Sequence, residues 1–269
     1  MTGDARTDQA LRLVRAESDR LGAELEALAP ADWDRTTNCE WTVRQLVAHL
    51  VRQVDAYLLT VHQALSGEPG APESREARTQ RMNRIAAQEP AAILADFRAT
   101  ADRFEREFGA LSPEHLEVLG PHSTGPRPAR WFVEQRLAEV AFHSWDLHHS
   151  LGRPGDLDPA TAAFLLPMLV EQNFPAIVAR DRTGGEGRFR LAVRGEAGPA
   201  WLLDFAPGAV TVTRDARASS PVTIEGDAAA LGLLVYGRRS LAELERAGRL
   251  SVSGDREAAG RFNELFRGP

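Results

Sequence analysis

The hydrophobic period of this chain changes once along its length, and that change constrains the fold more than any other feature. Before Gly152-Arg153-Pro154-Gly155, apolar residues recur at the spacing of a helix face. Beyond it, after one more helical stretch, they alternate. A period near 3.6 buries one stripe of a helix, whereas a period of two buries one face of a strand. The first part is therefore expected to be all-helical and the second to contain a sheet.

Four helices are predicted in the first part. Leu11, Val14, Leu21, Leu25 and Leu28 mark the first, over Thr7–Leu28. Thr42-Val43-Arg44-Gln45 has the form of a capping box that opens a second. That helix carries Val43, Leu46, Val47, Leu50, Val54 and Leu58 on one stripe and stops near Ser66-Gly67. Residues 67–88 are polar and include Pro69, Gly70 and Pro72, which reads as a long loop. A third helix covers about Pro90–Phe108, with Ile93, Phe97, Phe104 and Phe108 inward. The fourth carries Trp131, Phe132, Leu137, Val140, Phe142 and Trp145 and ends near Gly152. Four amphipathic helices of this length make a bundle.

In the second part, Asp158-Pro159 looks like an N-cap and first-turn proline opening a helix to about Val178. Phe189–Val193, Trp201–Phe205, Val210–Thr213 and Val222–Ile224 then read as strands of an antiparallel sheet. Helical stretches at Ala228–Tyr236 and Asp255–Phe266 are expected to cover one face. The organisation is thus α+β: a bundle over 1–152 and a smaller sheet domain over 153–269.

Composition narrows the function classes. Of 269 residues, 43% are apolar and 26% charged, the balance of a folded globular chain. A formal charge of −6, with both signs mixed along the chain, argues against a nucleic-acid partner. Inspection for uninterrupted apolar runs finds none near the ~18–20 residues that cross a bilayer. The N-terminal residues lack a signal-peptide pattern, so a cytoplasmic protein without a membrane partner is expected. The single cysteine, Cys39, excludes an intramolecular disulfide and a cysteine-rich zinc cluster. With no His or Lys beside it in sequence, Cys39 reads as a small buried residue. No phosphate loop, nucleophile elbow or dinucleotide fingerprint is present.

Glu139 and His143 stand four residues apart on the fourth helix, so their side chains leave the same face one turn apart. Asp146 follows on that face. Such a pair is more often a surface pair than a chelate, although Val140, Ala141 and Phe142 leave little room for a solvated face. A third ligand would have to come from elsewhere, and His49, beside the apolar stripe of the second helix, is the candidate. By itself His49 also reads as a half-buried histidine with a backbone partner. Two imidazoles and a carboxylate are a catalytic zinc-type set that leaves a position open. Asp146 is a candidate orienting acceptor for a ligand histidine. His148 and His149 read as helix-end cations, and His62, His115 and His122 fall in or beside expected loops.

Three stretches together resemble a known family. Thr37-Asn38-Cys39-Glu40-Trp41-Thr42-Val43-Arg44-Gln45-Leu46-Val47-Ala48-His49-Leu50 is similar to the second-helix signature of the DinB-like metal-binding bundles. It resembles more closely the actinobacterial mycothiol-dependent maleylpyruvate isomerase family. Arg136–Leu147 resembles the family's second metal motif. Leu233–Arg239 and Gly248–Asp255 resemble its sterol-carrier-protein-like C-terminal domain. The resemblance implies a zinc or other divalent ion held by His49, Glu139 and His143, with mycothiol as thiol cosubstrate. It implies a cleft between the two domains in which an arginine holds the carboxylate of an anionic or electrophilic small molecule. Arg238 is the candidate, with Arg239 and Arg249 serving the same charge logic. The implied reaction is cis-trans isomerisation by thiol addition and elimination, or S-transfer from mycothiol, in a monomer or homodimer. A non-catalytic lipid-binding module with a vestigial or structural metal is the competing reading. A structural ion would need a fourth ligand, for which Asp146 and His148 are the candidates.

Overall fold

The computed structural model describes residues 3–268 except 69, 72, 123–124, 154, 182–184, 196–197, 216–218 and 267. Pro69, Pro72 and Pro154, noted above as breakers, lie outside the described residues. The chain forms two compact units, Met1–Leu157 and Asp158–Pro269.

The first unit begins with α1 (Ala5–Glu26), a 3-10 turn over Pro30–Asp34 and α2 (Val43–Leu65). Then come α3 (Arg75–Ala86), α4 (Pro90–Gly109), the single turn α5 (Pro113–Leu116), the two-residue strands β1 (Leu119–Gly120) and β2 (Arg127–Pro128), and α6 (Ala129–Ser150). The capping box of α2 forms as its sequence requires. Gln45 donates its backbone N–H to the Thr42 hydroxyl at 3.3 Å, and the Thr42 N–H donates to Gln45 Oε1 at 3.0 Å. Its far end turns at Gly67, which has φ 77°, a conformation glycine takes without strain. α1 packs on α4 and α6, and α2 packs on the same two helices, giving a four-helix bundle. Leu46, Val47, Leu50, Phe97, Val140 and Leu147 fill part of its centre.

The expected loop at 67–88 is mostly helix. α3 has no buried residue and no apolar stripe, so periodicity does not reveal it. From α3, Ile85 alone packs partly against the bundle core, and polar supports supplement it. The Ser74 hydroxyl caps the Ala77 N–H at 3.1 Å, and Arg81 reaches Asp55 of α2, which also pairs with Arg103 of α4.

In the second unit, α7 (Pro159–Met168) leads through a wide π turn (Leu169–Asn173) into α8 (Phe174–Asp181). Pro175, without an N–H to return to the preceding turn, accompanies that widening. The sheet follows as β3 (Gly187–Val193), β4 (Ala200–Ala206), β5 (Ala209–Arg214) and β6 (Val222–Gly226). α9 (Ala228–Val235), α10 (Leu241–Arg246), β7 (Leu250–Gly254), α11 (Arg256–Gly260) and a 3-10 turn (Phe262–Glu264) complete it. Strand order is β5-β4-β3-β6-β7, and β3 pairs with β6 in parallel. The sheet is therefore mixed rather than antiparallel, because β6 lies beside β3 instead of returning along β5. β7 was not expected from its short Leu250-Ser251-Val252 alternation, nor α10, whose Ser240 and Glu243 form a capping box. The helix predicted over Asp255–Phe266 is broken into α11 and the 3-10 turn. The core of this unit is aromatic: Phe262 meets Phe189 edge-on at 5.0 Å, and Phe174 meets Phe266 at 4.8 Å. Pro159–Asp181 is a 23-residue helical run whose apolar stretch, at mean hydropathy 1.4, could cross a bilayer by length and composition alone. Glu171, Gln172 and Asn173 interrupt it, so it is not an uninterrupted apolar run. More than half of that stretch is buried, as in the core helix of an α+β domain.

Arg136 is the bundle's most exacting core residue. It is fully buried, donates through Nη1 to the Leu50 carbonyl at 2.8 Å, and lies over the Phe97 ring. Its Nε and Nη2 have no partner among the described residues. Burial pulls its pKa down to about 10. An unmatched buried cation costs desolvation that its few bonds do not return. Arg136→Met is expected to raise stability by on the order of 1 kcal/mol or more, read as a higher urea midpoint at unchanged slope. A lower midpoint would mean that the bonds to Leu50 and Gln53 outweigh desolvation.

Candidate metal centre

The site is built where α2 crosses α6. On α2, His49 follows the cap by two turns and points away from solvent; on α6, Glu139 and His143 present one turn each. His49 Nε2 lies 3.0 Å from Glu139 Oε2, and His143 Nε2 lies 3.4 Å from the same oxygen. Donor atoms of all three side chains fall within 4.8 Å of one another. Three ligands at zinc distances in a tetrahedron stand about 3.3 Å apart. The two spacings to Glu139 are near this value and the third lies within 4.8 Å, so the residues fit a divalent ion.

The supporting groups suit the same arrangement. His143 Nδ1 lies 3.0 Å from Asp146 Oδ2, and Asp146 is fully buried. That bond holds Nε2 toward Glu139, as an orienting carboxylate does for a ligand imidazole. Gln135, one turn before Glu139, donates its amide N–H to Glu139 Oε1 at 2.9 Å. Trp41 packs against both imidazoles, with ring centroids 4.9 Å from His49 and 5.9 Å from His143. Trp41 is placed by a tight turn in which the Thr37 N–H donates to the Trp41 carbonyl at 2.7 Å. Glu40 takes φ 65° in that turn, a conformation that costs a non-glycine residue roughly 1–2 kcal/mol.

Sequence reasoning passed over Cys39. The turn brings its sulfur to 3.0 Å from the Thr37 hydroxyl and into a second group of close donors with His143 and Asp146. Burial pushes the thiol's pKa up, but hydrogen bonds with His143 and Thr37 outweigh it and leave the pKa lowered. An ion in this second group would take the place of the His143–Asp146 hydrogen bond at Nδ1. His122, also passed over, lines a cavity of about 190 Å³ beside His49 and Glu139. Its position depends on packing against Trp131 and Phe132, which no local spacing announces. Gln135 was findable as the residue one turn before Glu139.

The other candidates stand elsewhere. His148 pairs with Glu24 at 2.6 Å, and His149 stacks on Trp145. With Asp146 on the far side of the imidazole, neither of the proposed fourth ligands closes the triad. Arg249 is committed to a bidentate pair with Asp227, the N-cap of α9. Arg238 lies over the Tyr236 ring at 5.4 Å, just after Gly237 closes α9 with φ 68°.

The family model described as mycothiol maleylpyruvate isomerase N-terminal domain matches residues 14–148. The chain belongs to this family. Residues 175–267 match the SCP-2 sterol transfer family. Among solved structures, the chain resembles a mycothiol-dependent maleylpyruvate isomerase at 21% identity and TM-score 0.67, over 93% of this chain and 94% of that one. A histidine-to-alanine mutant of such an isomerase gives 20% identity, the same coverage and TM-score 0.67. At that identity the likeness shows a shared fold. No curated protein matches the chain.

Electrostatics make metal binding pH-dependent. For Glu139, burial works to raise the pKa, but bonds to His143 and His49 hold it well below the usual carboxylate range. For His143, burial works downward, but Asp146, Cys39 and Glu139 hold the metal-free imidazole well above its ordinary pKa. Burial lowers that of His49. These directions favour a proton on His143 over one on His49 in the metal-free site. An ion must displace the Nε2 proton, so zinc binding is expected to release about one proton and to tighten about tenfold per pH unit below the His143 pKa. Titrations in buffers of different ionisation enthalpy measure this; no proton release would mean that His143 is neutral beforehand. Asp146→Asn is expected to weaken zinc binding about 10–100-fold, less than His143→Ala. Equal losses would contradict an orienting role for Asp146.

Proposed function

We propose that this chain is a metal-dependent enzyme using mycothiol as cosubstrate, either a maleylpyruvate isomerase or a mycothiol S-transferase. The observation that carries this reading is the convergence of His49, Glu139 and His143 on one point beside a cavity, in a member of this family. Zinc or another divalent ion there would supply the charge that keeps a thiol ionised at neutral pH, where a free thiol of pKa near ~8.5 is mostly protonated.

The chain's own residues supply the rest. His49 and His143 present Nε2, and Glu139 presents its carboxylate. Asp146 holds the Nδ1 proton of His143, and Gln135 fixes the second oxygen of Glu139. Three protein donors leave a coordination position for an incoming group. With Trp41 packed on the imidazoles, the open approach is through the cavity that reaches His49 and Glu139. Arg238 is proposed to hold a substrate carboxylate. The two reactions share these residues and part at the last step. An isomerase regenerates the thiol as the trans product leaves, whereas a transferase does not.

The match of residues 175–267 to the SCP-2 sterol transfer family supports a second reading, a lipid-binding module whose metal site is vestigial or structural. Calorimetric titration of mycothiol into zinc-loaded protein separates the two. Binding that disappears in His143→Ala is expected, followed by maleylpyruvate isomerisation or by a stable mycothiol conjugate of another electrophile. Absence of mycothiol binding to the zinc-loaded protein would overturn the enzyme reading in this form.

A further inference from the structure

Cys39, His143 and Asp146 form a group of donors that the triad does not use up. One atom from each, a thiol sulfur, a ring nitrogen and a carboxylate oxygen, falls within 4.8 Å of the other two. The imidazole of His143 belongs to both groups and has a nitrogen for each. Its Nε2 lies 3.4 Å from Glu139 on the triad side, and its Nδ1 lies 3.0 Å from Asp146 on the other.

The sulfur is placed by hydrogen-bonded backbone. The Thr37 N–H and hydroxyl both donate to the Trp41 carbonyl, at 2.7 and 2.9 Å, and the Glu40 N–H donates to the Thr37 carbonyl at 3.0 Å. Cys39 sits inside this turn and is half-buried, so an ion can reach it, whereas Asp146 behind it is fully buried. Charge also favours a cation. Glu139, Asp146, a Cys39 thiolate and a His143 imidazolate carry one negative charge each, which together match two divalent ions. Buried charges need such a match. Thiolate selects soft cations, and a set of sulfur, nitrogen and oxygen donors suits ions of the zinc group.

We propose that Cys39, His143 Nδ1 and Asp146 form a second cation site, for a thiophilic ion of the zinc group, joined to the triad through the His143 ring. The thiol proton and the Nδ1 proton leave to solvent as the ion enters. Asp146 turns from hydrogen-bond acceptor to ligand, and the ring keeps Nε2 toward Glu139. Cys39 comes from the turn before α2 and its two partners from α6, so the ion clips that turn, and Trp41 with it, onto the helix. The site follows from the placement of these three side chains and does not depend on the use of mycothiol.

The test uses full-length zinc-loaded protein in thiol-free buffer, with Cd2+ as the probe. Cys39 is the only cysteine in the chain, so a thiolate-to-cadmium charge-transfer band in the ultraviolet reports an ion on its sulfur and on no other. The wild type is expected to gain that band as it takes up about one equivalent of cadmium beyond its zinc. Cys39→Ser should lose the band and the extra equivalent while keeping its zinc. His49→Ala, which damages the triad but leaves the second group whole, should keep the band. No band in the wild type would overturn the proposal. So would a band that vanishes in His49→Ala, because the thiolate would then be reporting the triad ion. Both of those outcomes leave the mycothiol reading standing, which fails instead if zinc-loaded protein binds no mycothiol.

Discussion

A carboxylate set among packed helices has to be matched by positive charge, and the bundle's middle is arranged around how Glu139 is matched. Removing an ion from water costs several kcal/mol even after relaxation. Glu139 is largely buried and meets that cost with His49 on one helix, His143 on its own helix, and a donor from Gln135. The same contacts fix how closely α2 and α6 approach. In the metal-free protein the proton on His143 serves as the cation; with an ion bound, that proton leaves and the ion takes its place. The site would therefore exchange one positive charge for a larger one.

Asp146 sees the opposite side of the same imidazole. It is fully buried and accepts from Nδ1, which leaves Nε2 as the only ring nitrogen free to face Glu139. Cys39 and Trp41 reach the site from a different direction, on a turn strained at Glu40. A backbone held in an unfavourable region persists where its surroundings overdetermine it. Here the Thr37–Trp41 hydrogen bonds and the capped start of α2 do so. The turn and the helix it feeds thus form one unit, whose product is a ring packed on both imidazoles.

Much of this was readable from spacing. Periodicity placed α1, α2, α4 and α6, and the capping box at Thr42 placed the start of α2. Helical phase put Glu139, His143 and Asp146 on one face. The apolar stripe of the second helix made His49 the candidate third ligand. Spacing alone could not fix a contact ninety residues apart, which is a property of the bundle, and the family resemblance strengthened the link. In the second unit the four strands from β3 to β6 were legible from alternation, but their order was not. Pairing partners follow from connections, and the parallel β3–β6 pair depends on a link that local pattern does not describe. α3 was not legible for a physical reason too: with Ile85 alone packed partly on the core, it has no apolar stripe.

That blindness has a pattern. Residues that would carry the reaction sit on α2 and α6, whose buried faces impose a period and so make them visible. Residues that shape the cavity mouth sit on α3, before it at Glu73, and near β1 and β2 at His122, where no face is buried strongly enough to leave a signature. Substitutions there disturb few packed contacts, so a change at Arg78 costs the fold little, whereas a change at Glu139 disturbs the crossing of two core helices. A scaffold divided in this way can keep its metal chemistry while exchanging its substrate. Membership in the family therefore speaks to the triad far more strongly than to the molecule that enters beside it.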